Sequence, residues 1–141
     1  MTVIANVYKD AALTEAFDDA VDTFSAQAVD GSFGTGSFWV GTPTATNQIQ
    51  ATSDPGVDPI EVSFDDSAPG SGVEESHMRL ALTEGGLAGA TPGATLGLGT
   101  TILGGSGNAV RVWFRWDNST GGGESTEMRM QLTARNEAAI P

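Results

Sequence analysis

Apolar residues in this chain recur at every second position in short runs, and clusters of Gly, Pro, Asn and Asp break the runs apart. Such alternation sends neighbouring side chains to opposite faces of an extended strand, so it restricts the chain to half-buried sheets closed by turns. Two runs show it best. In Val110–Trp116, the residues Val110, Val112, Phe114 and Trp116 share one face, with Arg111, Trp113 and Arg115 on the other. Further on, Thr126, Met128, Met130, Leu132 and Ala134 alternate with Glu127, Arg129, Gln131, Thr133 and Arg135. The tract Asp117–Gly123 between them has turn composition, and the two runs are expected to form a hairpin.

Further strands are expected over residues 2–8, 22–29, 36–41, 47–52, 59–65 and 77–83. The glycine-rich stretch from Leu87 to Gly107 places Leu96, Leu98 and Ile102 at even spacing around Gly97 and Gly99, which reads as short, bulged or closely approached strand. One segment breaks the pattern. Leu13, Phe17, Val21 and Phe24 recur at helical spacing, so residues 11–20 are expected as a short helix, an irregular connector or strand, with Asp10 or Thr14 available as a cap. The fold expected is all-β, a single β-sandwich domain over residues 1–141, immunoglobulin-like or jelly-roll-like.

Charge narrows the setting. Residues 1–75 carry thirteen carboxylates against Lys9 alone, whereas residues 76–141 carry five carboxylates and five arginines, so the whole net charge of −12 lies in the first half. Self-repulsion of that size weakens a compact state in dilute buffer. In molar salt the Debye length falls to about 3 Å and the penalty disappears, which points to a salt-rich environment. At low salt the 1–75 half is expected to loosen first. Dispersed arginines on an acidic chain argue against nucleic acid. The N-terminal residues lack the charged and apolar regions of an export signal, and no apolar run approaches membrane-spanning length, so neither export nor a membrane is expected. Cysteine is absent, which removes thiol chemistry.

Little in the sequence can carry catalysis. His77 is the only histidine, and Glu75 and Ser76 beside it would point to different faces of a strand, so no hydrolytic trio is expected. No phosphate-cradling motif is present. Asp54, Asp58, Asp65 and Asp66 could gather calcium, although a solvated acidic surface is the plainer account of them, as it is of Asp18, Asp19 and Asp22. No cofactor is therefore expected, with calcium as the one exception considered. Asn118-Ser119-Thr120 fits a glycosylation acceptor and, equally, a simple turn.

The run Arg111-Val112-Trp113-Phe114-Arg115 is different in kind. An aromatic flanked by two arginines has the composition of protein–protein hot spots. Arg111, Trp113, Arg115, Arg129 and Arg135 are accordingly the candidate interface, against the alternative of a cation–π ladder inside one sheet. Acid-rich and arginine-bearing halves also allow copies to pack head to tail.

Tyr8-Lys9-Asp10, Gly36–Thr42, Met78–Leu82, Leu98–Gly105 and Ala109–Arg115, in that order, resemble small immunoglobulin-like β-sandwich proteins from the virions of tailed phages and related archaeal viruses. The resemblance is one of layout over most of the chain, and the paired cysteines of antibody-type sandwiches are missing. It implies a non-enzymatic virion protein of a haloarchaeal tailed virus, either a capsid decoration or turret or a tail or baseplate component. Its partners would be copies of itself and other virion proteins such as major capsid or tail proteins. The alternative is a module binding a glycan or cell-surface polymer, with Trp39 or Trp113 as stacking platform and calcium at the aspartates.

Overall fold

The structure is a computed structural model that describes residues 3–18, 33–66, 75–117 and 128–141. Its strands are β1 (Val3–Tyr8), β2 (Ala16–Asp18), β3 (Phe33–Val40), β4 (Asn47–Ala51), β5 (Glu61–Asp66), β6 (Met78–Ala81), β7 (Leu96–Gly97), β8 (Thr101–Leu103), β9 (Val110–Asp117), β10 (Met128–Leu132) and β11 (Arg135–Ala139). All pairings are antiparallel. Among the described residues the only helical pieces are three single 3-10 turns, so the all-β expectation holds.

One layer is a five-stranded sheet in the order β2-β1-β3-β9-β6. Its centre is the β3–β9 pair, which runs in register from Phe33↔Asp117 to Val40↔Val110. Along it small residues face large ones: Gly34 lies opposite Trp116 and Gly36 opposite Phe114. The inward residues Phe38, Val40, Val112 and Phe114 are buried, as are Met78 and Leu80 of β6.

The other layer consists of two three-stranded sheets, β10-β5-β7 and β11-β4-β8, set end to end. Residues 128–139 run past β5 and then β4, while residues 96–103 run past the same two strands on the other side. The middle strand is therefore one path, β4 then β5, interrupted by the excursion of residues 52–60. Hydrogen bonds across the break hold the two sheets in line: Ile60 N–H to Gly99 O at 2.8 Å, Leu98 N–H to Ile60 O at 2.7 Å, Thr52 N–H to Ala134 O at 2.9 Å and Thr133 N–H to Glu61 O at 3.0 Å. The Thr133 hydroxyl adds a bond from Glu61 N–H at 2.9 Å.

The inward faces of the two layers meet in one apolar cluster that joins Val7, Phe17, Phe38, Val40, Met78, Leu80, Val112 and Phe114 to Ile49, Ile60, Val62, Phe64, Leu98 and Ile102. Two sheets packed face to face over such a cluster make a β-sandwich.

One expectation is corrected, and the alternatives left open for residues 11–20 are decided as far as Asp18. The runs 110–116 and 126–135 do not form a hairpin, because both edges of β9 are taken by β3 and β6, and β10 pairs with β5 in the opposite layer. Residues 11–18 are not helical: Leu13 adopts a left-handed φ of 58°, which ends any right-handed turn, and Ala16–Asp18 is strand. Asp10 caps a turn instead, its carboxylate accepting from Thr14 N–H, Glu15 N–H and the Thr14 hydroxyl. Leu13 and Phe17 still reach the interior, both being buried. The expected strand 22–29 lies outside the described residues.

Candidate interaction face

The outward face of the five-stranded sheet follows from register and alternation. Thr35, Ser37 and Trp39 of β3 lie opposite Arg115, Trp113 and Arg111 of β9, and Arg79 and Ala81 of β6 lie opposite Arg115 and Trp113 on the other side. Arg111 organises the centre. Its guanidinium carbon lies 4.0 Å from the ring centre of Trp113 and 4.5 Å from that of Trp39, and its Nε donates to Ser37 Oγ at 3.1 Å. The cation–π ladder weighed as an alternative is thus present. It leaves Arg111 exposed and both tryptophans partly exposed, so the same residues brace the sheet and present an arginine–indole surface.

An arm of residues 82–93 folds back over this face from the end of β6. Arg79 Nη1 donates to Ala88 O at 2.8 Å, Gly93 N–H returns to Met78 O at 2.8 Å on the strand edge, and Leu87 of the arm is buried against the sheet. Between arm and sheet remains a cleft of about 350 Å³ lined by Thr35, Glu84, Gly85, Leu87, Ala88 and Arg115. Arg79, Ser37 and the arm residues were not foreseen as parts of this face. The alternation of Thr35, Ser37 and Trp39 was available in the sequence, but their pairing with β9 was not.

The remaining arginines of the candidate interface go elsewhere. Arg135, on β11 of the other layer, donates to Thr133 O at 3.2 Å and to Ala5 O of β1. Burial lowers its pKa from the ordinary value. Beside it Glu137 accepts from Asn6 Nδ2 at 2.8 Å and Asn47 Nδ2 at 2.6 Å. Arg135 and Glu137 therefore tie β11 to β1, and charges of this kind protect a sheet edge against stray pairing. Arg129 lies at the register position opposite Asp65 on β10, and its side chain is outside the described residues.

The four aspartates do not converge. Asp54 is exposed and Asp58 half-buried on the excursion, where Ser53 Oγ donates to Asp58, whereas Asp65 stands four strand residues beyond Glu61, about 13 Å up β5. The Asp66 side chain is outside the described residues, and among the described residues no group of three His, Cys, Asp or Glu could hold a metal ion. His77 ends a 3-10 turn, Glu75–His77, at the start of β6. The triplet Asn118–Thr120, with Asp19 and Asp22, lies outside the described residues, as does the Asp18 side chain. Among the described residues no helix is long and apolar enough to cross a membrane. No protein-family model, curated protein or solved structure matches this chain.

Proposed function

We propose that this chain is a non-enzymatic structural component of the virion of a tailed virus from a salt-rich habitat, a capsid decoration or turret protein or a tail or baseplate component, acting through protein–protein contacts. The observation that carries the reading is the outward face of the five-stranded sheet, where Arg111 is stacked between two indoles and Arg79 and Arg115 stand beside them. Arg and Trp are the residues that concentrate binding energy in interfaces, and lysine is missing from this face. The bracing of Arg111 against both rings also reduces the entropy lost when a partner fixes it. The virion setting rests on the resemblance of residues 8–10, 36–42, 78–82, 98–105 and 109–115 together with the acidic balance.

Sugar binding is less well supported, because Arg111 occupies one side of each indole that a glycan would stack on. Peptide mass spectrometry of particles purified from the culture that carries this chain tests the proposal. The chain is expected at a fixed ratio to the major capsid or tail protein, and particles without it would overturn the reading.

A further inference from the structure

We propose that copies of this chain dock front to back, the excursion of residues 52–60 of one copy seating in the cleft beneath the 82–93 arm of the next. The inference rests on the reading of the chain as a protein that works by protein–protein contact, and it names the partner as a second copy.

The excursion is a formed knob. Val57 N–H and Asp58 N–H both donate to Asp54 O, at 3.0 and 2.9 Å, and Gly56 closes the turn with a φ of 81°. A Cβ at Gly56 would stand 3.1 Å from Gln50 Nε2, and Gln50 faces outward, bonded to Thr101 Oγ1 at 3.0 Å. The knob therefore lies over the outward face of the three-stranded layer. At its crest Val57 is 65% exposed, the highest value among the large apolar side chains described, and exposed Asp54 and half-buried Asp58 flank it. An exposed valine between two carboxylates on an ordered turn costs little to immobilise and has apolar surface to lose.

The cleft on the opposite layer offers the complement. Its volume of about 350 Å³ falls at the lower end of the roughly 300–1,000 Å³ of binding pockets, a fit for one small apolar side chain and an adjoining carboxylate. Leu87 supplies apolar wall, and Arg115 with neighbouring Arg79 outnumbers Glu84 in charge. Knob and cleft lie on opposite outward faces of one sandwich, so the contact is heterologous: each copy uses a different surface to give and to receive. Heterologous contacts continue until a ring closes or a filament grows.

Sedimentation velocity in 1 M KCl tests this with defective halves. Asp54→Arg with Val57→Ser removes the knob. Arg115→Glu spoils the cleft, and Gly85→Trp blocks it from a position where a Cβ meets nothing within 4 Å, which separates blocked docking from lost folding. Wild type is expected to form species larger than a dimer, and each variant to associate about tenfold more weakly or worse. A one-to-one mixture of a knob variant with a cleft variant is expected to yield a dimer and nothing larger, because one intact knob and one intact cleft remain. A monomeric wild type, variants that assemble like wild type, or a mixture that stays monomeric would each overturn the proposal. A monomeric wild type that is nevertheless found in particles defeats the docking alone, and a docking protein absent from particles defeats the virion reading alone.

Discussion

An ideal Cβ at Gly36 would fall 2.3 Å from Phe114 Cζ and 2.8 Å from Cε1, so the ring lies where any other side chain would begin. The residue is glycine because its cross-strand partner is the large inward phenylalanine of β9. Gly104 is tighter in a different way: a Cβ there would stand 2.1 Å from Thr44 O and 2.6 Å from Asn47 O, and Asn47 O already accepts the Gly104 N–H at 2.8 Å. A ring can tilt, but a carbonyl fixed in a ladder moves only with its strand. Gly36→Ala is therefore expected to cost about 1–3 kcal/mol, the range for overpacking, and Gly104→Ala at least as much. Gly89→Ala, in open space, is expected to stay within about 0.5 kcal/mol. Urea unfolding of the three variants checks the order, and a Gly104→Ala midpoint equal to wild type would show that the turn yields.

The turn between β1 and β2 shows how an element differs from its sequence pattern. Leu13 and Phe17 lie four apart, and four residues bring two side chains to the same side of a helix; a turn followed by a strand does so here as well, and spacing alone does not separate the two. What decides is Asp10. Its pKa is lowered, first by the hydrogen bond from the Thr14 hydroxyl and then by the backbone N–H of Glu15. A carboxyl whose folded pKa is depressed contributes stability above its unfolded pKa of about 3.9 and loses it as pH falls through the folded value. Acid is therefore expected to release this turn below about pH 4. Carboxyl NMR should place the Asp10 midpoint under the ordinary aspartate value, with the Thr14 and Glu15 amides moving in step. A midpoint at or above that value would mean the cap does not form. Strand existence was legible over most of the described chain, because period-two alternation and turn residues are local, but β11 (Arg135–Ala139) lies beyond the expected 126–135 run, which ends as a strand at Leu132. Pairing was not. The 110–116 and 126–135 runs look like a hairpin by adjacency, and only the occupation of both β9 edges by β3 and β6 sends the second run to the other layer.

Across the whole molecule, the Arg111–Trp113–Arg115 strand was legible as a candidate because its outward residues sit in one run, while Arg135 was misleading for the same reason: its alternation says outward, but its strand is an edge whose charges turn toward β1. The division of charge at residue 75 is also a property of the sequence rather than of the fold. Within the acid-rich half, β3, β4 and β5 pair with β9, with β8 and β11, and with β7 and β10 respectively, so the two halves interleave and the first cannot loosen as a block without tearing ladders of the second. Among the described strands only β1 and β2 pair solely within the acidic half. The turn that joins them carries Asp10 and Glu15, β2 is the sheet edge, and polar bonds from Arg135 and Glu137 anchor β1. Between 0.1 M and 1 M salt the Debye length falls from about 10 Å to about 3 Å, so dilution restores repulsion over distances that span neighbouring strands. The melting temperature is expected to rise steadily with KCl. Hydrogen exchange at 0.1 M should show Val3–Asp18 losing protection ahead of the rest, with the remaining strands opening together. Equal loss of protection everywhere would mean that repulsion acts on the molecule as one unit, and a melting temperature flat in salt would mean that the acidic surface does not strain the fold at all.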